Sequence, residues 1–173
     1  MDPEKTKLLI SQDQISEKLT LAAGQIQRDY NGKDLVIVMV LKGALCLTAD
    51  LIRKLDLPLD VEYVQCSSYG AGGKQRGELQ IIGLDRLHIH NRDVLLVDDI
   101  FDSGHTMQAL VSALREKHPR TLKSLVLLSK NVPHVTDYRP DYVLFPIENL
   151  FVVGYGLDYK ERYRGLEGVY VLE

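Results

Sequence analysis

Apolar and polar positions along the chain alternate between two periods. From Asp13 to Tyr30 the apolar residues Ile15, Leu19, Ala22, Ala23 and Ile26 recur at helical spacing, which predicts an amphipathic helix covering a sheet. Asn31-Gly32 ends it. Leu35 to Leu41 is a continuous apolar run, and so is Val94 to Val97. Short runs of this kind, rich in β-branched residues, predict buried strands. Leu59 to Cys66, Glu78 to Ile82, Ser124 to Leu128 and Tyr142 to Phe145 predict further strands. Helices are expected over Ala44 to Lys54 and over Met107 to Lys117. The second carries Leu110, Val111 and Leu114 as its buried stripe and stops at His118-Pro119. The segment Ser67 to Gly77 is polar and rich in glycine, and reads as a long loop that is mobile in the free protein.

Composition narrows the class. The chain has 173 residues, 45% hydrophobic and 26% charged, with a formal net charge of −3. That length suits one domain with a sizeable core, and the whole span 1–173 is read as one unit. No basic tract marks a nucleic-acid partner. The N-terminal Met1-Asp2-Pro3-Glu4 stretch lacks the apolar core of a signal peptide, and no run reaches membrane-spanning length. Cys46 and Cys66 have no metal-ligand spacing, and Cys46 reads as a buried thiol. His88 and His90 read as surface residues. A cytoplasmic enzyme or binding protein fits these features.

The chemistry concentrates after the Val94 to Val97 run. Asp98, Asp99 and Asp102 place three carboxylates within five residues. The turn Ser103-Gly104-His105-Thr106 follows and leads into a helix. Open α/β sheets carry ligands at the carboxyl ends of their strands. A small-residue turn beside a helix start offers backbone N–H groups and hydroxyls to a phosphate. Acidic residues after a strand also serve as ordinary helix caps. Three carboxylates repel one another, however, unless a cation or a polyhydroxyl ligand lies between them. A phosphate turn abutting such a cluster implies a ligand with both phosphate and hydroxyl groups, and Mg²⁺ with it. The Gly-Lys-Ser/Thr ending of an ATP-binding P-loop is absent.

Val94 to Met107 resembles the signature of the type I phosphoribosyltransferases, which bind 5-phosphoribosyl-1-pyrophosphate. Leu41-Lys42-Gly43 is similar to their pyrophosphate loop, where a non-proline cis peptide is common; Ala44 stands where glycine is usual. Ser68-Tyr69 matches the Ser-Tyr pair on the flexible loop that closes over the site in the hypoxanthine-guanine branch. Lys130 occupies the position that reads purine O6. The run Phe151 to Arg164 resembles that branch's C-terminal hood, formed by about residues 145–173 and terminal elements. Asp98 departs from the glutamate found in many members. The resemblance spans roughly residues 35–172.

The resemblance implies an α/β type I phosphoribosyltransferase fold: a mainly parallel central sheet flanked by helices, a small hood and one mobile loop. It also assigns roles. Lys42, Gly43, Ser68, Tyr69 and Arg164 would serve the pyrophosphate side. Asp98 and Asp99 would hold ribose hydroxyls, directly or through metal-bound water. Ser103, Gly104, His105 and Thr106 would grip the 5-phosphate. Asp102 would act as acid/base at purine N7. Phe151 would stack on the base, Val152 and Asp158 would read its edge, and Mg²⁺ would lie near Asp98, Asp99 and Asp158. The implied substrates are phosphoribosyl pyrophosphate and a 6-oxopurine, with no nucleic acid or membrane partner, in a homodimer or homotetramer. Two alternatives stay open at this level: a xanthine-preferring transferase, and a non-catalytic sensor of phosphoribosyl pyrophosphate.

Overall fold

The computed structural model describes residues 6–68 and 79–172. Six strands form the main sheet: β2 (Leu35–Leu41), β3 (Leu59–Ser68), β4 (Leu79–Ile82), β5 (Asp93–Phe101), β6 (Thr121–Lys130) and β7 (Tyr142–Ile147). Their order is β4-β3-β2-β5-β6-β7. Every neighbouring pair is parallel except β3 with β4. This is the mainly parallel α/β sheet that the resemblance implies. Among the described residues three α-helices accompany it: α1 (Gln12–Asp29), α2 (Leu45–Lys54) and α3 (His105–Arg115).

The pleat explains why the central strands read as unbroken apolar runs. Successive side chains point to opposite faces, and both faces are covered. Leu35, Ile37, Leu95 and Val97 pack with Ile15, Leu19 and Ile26 of α1 and Leu47 and Leu51 of α2. Val36, Val38, Val94 and Leu96 pack with Met107, Leu110, Val111 and Leu114 of α3. Each residue of β2 from Leu35 to Val38 is fully buried, so no position is left for a polar side chain.

Boundaries differ from the sequence reading in instructive places. α1 starts at Gln12, because Ser11 and Gln14 form a capping box. The Ser11 hydroxyl accepts from the Gln14 N–H at 3.3 Å, and the Ser11 N–H donates to Gln14 Oε1 at 2.9 Å. β3 runs two residues past Cys66, to Ser68, held by antiparallel pairing with β4. β5 does not end at Val97. Asp98, Ile100 and Phe101 still pair with Val126, Leu128 and Ser129 of β6, so the two adjacent carboxylates lie inside the strand's last stretch.

A second sheet forms from chain ends. β1 (Thr6–Ile10), β9 (Val169–Leu172) and β8 (Val152–Val153) run in the order β1-β9-β8, all antiparallel. Gly168 lets β9 approach β1, since a Cβ there would stand 2.6 Å from the Ile10 carbonyl oxygen. No helix among the described residues is long and apolar enough to cross a membrane.

Candidate active site

β2 leads back to β3 on one side, while β5 leads on to β6 and β7 on the other. Their carboxyl ends therefore diverge, which is the topological switch point where open α/β sheets hold ligands. A cavity of about 320 Å³ occupies this place. β2 contributes Lys42 and Gly43, which follow a cis Leu41–Lys42 peptide. β5 and its turn contribute Asp98, Asp99, Asp102, Ser103, Gly104, His105 and Thr106. Asp158 and Arg164 enter from the segment after β8.

Close backbone approach fixes two glycines. A Cβ on Gly43 would fall 1.8 Å from Asp99 Oδ2, and a Cβ on Gly156 would fall 2.1 Å from the Gly43 carbonyl oxygen. Gly43 is thus pressed between the acidic strand end and the segment after β8. Gly104 has φ +89, and it precedes α3 with no side-chain cap. The uncapped first turn of α3 leaves backbone N–H groups for an anion. His105 and Thr106 are the first residues of α3, so Asp102-Ser103-Gly104 forms the turn between β5 and that helix.

Asp98 and Asp99 sit side by side without an adequate counter-charge. Asp98 is buried, and its Oδ1 accepts from the Asp99 N–H at 2.9 Å. Burial pushes the Asp98 carboxyl well above the ordinary carboxylate range, and the neighbouring Asp99 charge adds to it. Burial also raises Asp99, against opposing hydrogen bonds and the Arg164 charge. The same cavity wall holds Cys66, whose thiol is pushed up to about 12, first by burial and then by Asp98. A neutral thiol of that kind is no nucleophile.

The cationic side faces this pair. Arg164 donates to the Gly156 carbonyl oxygen at 2.8 Å and pairs with Asp158 Oδ1 at 2.8 Å. Its buried Nε has no hydrogen-bond partner among the described residues. Lys42 Nζ pairs with Glu161 Oε2 at 3.0 Å. Lys130 does not line this cavity but a neighbouring cleft with Ser129, Asn131 and Phe145; its Nζ reaches Asp102 Oδ2, on the cavity wall, at 3.4 Å. The Lys130 side chain is 12% exposed, so this lysine is held in the protein rather than solvated on a turn.

Some expected residues are not gathered here. Phe151 is 53% exposed and meets the Tyr159 ring edge-on at 5.7 Å, outside the cavity wall. Val152 is buried and pairs with Val171 of β9. Ser68 closes β3, while Tyr69 lies outside the described residues. Asp98, Asp99 and Asp158 do not form a three-ligand cluster, and no such cluster exists among the described residues. Conversely, Ile100 and Phe101 line the cavity although nothing in the local pattern marks them. Glu161 was also missed, although the Asp158, Glu161, Arg164 spacing of three was visible.

Comparison with known proteins agrees with this geometry. The family described as phosphoribosyl transferase domain matches residues 11–160. Hypoxanthine-guanine phosphoribosyltransferase of Aquifex aeolicus is 39% identical over 171 residues, which is 98% of this chain and 96% of that protein. The bifunctional protein TilS/HprT of Listeria monocytogenes is 38% identical over 167 residues. There the match takes in 96% of this chain, which spans 26% of that longer relative. A crystal structure of a hypoxanthine-guanine phosphoribosyltransferase from Bacillus anthracis, with HEPES in its active site, superposes with a TM-score of 0.91 at 35% identity. It covers 98% of this chain and 99% of its own. The switch-point cavity, the acidic strand end and similarity along almost the whole length thus place the chain in the phosphoribosyltransferase family, among its hypoxanthine-guanine members.

Proposed function

We propose that the chain transfers the phosphoribosyl group of 5-phosphoribosyl-1-pyrophosphate to a 6-oxopurine, hypoxanthine or guanine, in purine salvage. One observation carries this reading. The cavity has an uncapped helix start at one end, Lys42 and Arg164 at the other, and between them the buried Asp98 beside the half-buried Asp99. Such a site fits a ligand with anions at both ends and hydroxyls in the middle.

The residues divide the work accordingly. The N–H groups and hydroxyls of Ser103 to Thr106 hold the 5-phosphate. Asp98 and Asp99 accept from the ribose hydroxyls. Lys42 and the Arg164 guanidinium bind pyrophosphate, whose charge grows as its bond to C1 breaks. Purine N9 forms the new bond to C1, and Asp102 exchanges the proton at N7. Lys130, held beside Asp102, donates to the purine O6. That donor suits an oxo group and opposes the amino group of adenine.

Mg²⁺ fits the donor set: Mg²⁺ is held by one or two carboxylates, with waters and substrate phosphates completing the shell, and the Asp98–Asp99 pair lacks counter-charge. When bound it would neutralise part of the pyrophosphate charge. Asp158 is already committed, since Oδ1 pairs with Arg164 and Oδ2 accepts from the Glu161 N–H at 2.8 Å. Its role is to aim Arg164, with metal contact secondary. The setting we propose is the cytoplasm, where the two free cysteines would persist as thiols. A homodimer or homotetramer is proposed as well, on the exposed apolar Val61, Tyr63 and Ile82 of β3 and β4; light scattering on purified protein reads its mass directly.

The test is pyrophosphate release with Mg²⁺ and phosphoribosyl pyrophosphate, offering hypoxanthine, guanine, xanthine and adenine separately. Release with the first two supports the reading. Release with xanthine alone would reassign the base, and donor binding without release for any base would make the protein a sensor.

A further inference from the structure

The cations that face the diacid already hold an anion supplied by the chain itself. Glu161 pairs with Lys42 at 3.0 Å through Oε2 and with Arg164 at 3.5 Å through Oε1. One carboxylate thus bridges two cations 122 positions apart in the chain, which come together at the cavity's rim. Glu161 does not line the cavity, whereas Lys42, Asp158 and Arg164 do.

The backbone is built to present this carboxylate. Lys160, Glu161 and Tyr163 have φ of 51°, 62° and 74°. Non-glycine residues rarely occupy this left-handed region, and a cluster of them persists where surrounding contacts over-determine it. Those contacts are present. Asp158 Oδ2 accepts from the Glu161 N–H at 2.8 Å, and Tyr159 and Arg162 exchange backbone hydrogen bonds at 3.1 and 3.0 Å. The turn therefore holds Glu161 over the two cations, while its side chain remains 66% exposed. A carboxylate with that much water around it can leave the cations at small cost.

We propose that Glu161 is an internal counter-anion that occupies Lys42 and Arg164 in the free protein and is displaced by the pyrophosphate group. The proposal rests on the phosphoribosyltransferase reading, which makes those two cations the pyrophosphate site. Glu161 keeps them aimed and neutralised before the donor arrives. It also competes with pyrophosphate afterwards, and so weakens product retention. Glu161 touches no reacting atom; it tunes the occupancy of the groups that do.

The experiment is calorimetric titration of inorganic pyrophosphate, with Mg²⁺ present, into the full chain and into Glu161→Gln and Glu161→Asp. A purine nucleoside monophosphate serves as the control ligand, because it engages the Ser103–Thr106 turn without needing Lys42. Removing a competitor worth one or two exposed ion pairs should tighten pyrophosphate binding about three- to tenfold in Glu161→Gln. Its dissociation should slow in proportion, and the gain should shrink at high salt, as screening of exposed pairs requires. Monophosphate affinity should not change. Glu161→Asp keeps the charge on a shorter arm and should stay near the parent. Unchanged or weaker pyrophosphate binding by Glu161→Gln, with the parent binding both ligands, overturns the counter-anion role and leaves the transferase reading standing. A parent chain that binds neither ligand overturns both.

Discussion

Asp102 and Gly43 show how differently two residues can be indispensable. Asp102 lies between the turn before α3 and Lys130, where the proposed reaction would put a carboxylate beside the base. Asp102→Asn keeps the shape and removes the proton acceptor. Its expected effect is a fall in kcat of about 10² to 10⁴ with donor affinity almost unchanged, read by single-turnover kinetics beside equilibrium binding. Equal turnover would remove Asp102 from the chemistry. Gly43 contributes no side chain, yet any Cβ there collides with the Asp99 carboxylate. Gly43→Ala must therefore move Asp99 or the turn that follows β2. A misplacement on the order of 1 Å costs about 10² in rate, so kcat/KM should fall by at least that much while the protein stays folded. At this scale the residue types were legible in sequence, because an acidic pair, a hydroxyl turn and two lysines at strand ends have few joint uses. The 1.8 Å constraint on Gly43 was not, since it depends on a residue more than fifty positions away.

At the scale of elements, the periods of the pattern located every long element and misplaced several ends. The apolar run stops at Val97, but β5 continues to Phe101 because β6 supplies a partner for it. A ladder is a property of two strands, so one strand's hydropathy cannot report where it ends. β1 and β8 are short and were invisible alone; their partner is β9, at the far end of the chain. The cap of α1 was visible in principle, as Ser11 and Gln14 stand at capping-box spacing. Ser11→Ala should cost about 1 kcal/mol, measured by urea unfolding with an unchanged slope. Leu96 is fully buried between the sheet and α3. Leu96→Ala should cost about 2 to 5 kcal/mol in the same experiment, several times the cap's effect.

Across the whole molecule the two ends of the sheet carry opposite electrostatics. At the carboxyl ends, Asp98 and Asp99 are raised by burial. At the amino end of β5, Asp93 is buried as well. Burial alone would raise it, but the Arg120 guanidinium and the 2.7 Å bond from the Thr121 hydroxyl outweigh that and hold the carboxyl below its ordinary value of 3.8. A lowered folded value means that the unfolded chain binds the proton more readily. The stabilisation is therefore complete above about 3.8 and is lost as pH falls through the lowered value. Acid unfolding followed by circular dichroism should show this limb, and Asp93→Asn should flatten it while lowering stability near neutrality. A mutant whose acid limb matches the parent's would show that Asp93 does not carry the dependence.

The class of fold and the kind of chemistry were legible in the local pattern of residues. Burial on both faces forces unbroken apolar runs, and the proposed ligand, with anions at its ends, would demand donors and cations of fixed type. Tertiary structure decided what those residues face. It brought Lys42 of β2 and Asp98 and Asp99 of β5 to one switch point, drew both chain ends into one small sheet, and set Glu161 over Lys42 and Arg164. The physical reason is range. Hydropathy and spacing act over a few residues, whereas the cavity's charge balance is a sum over segments that meet only after the sheet has formed.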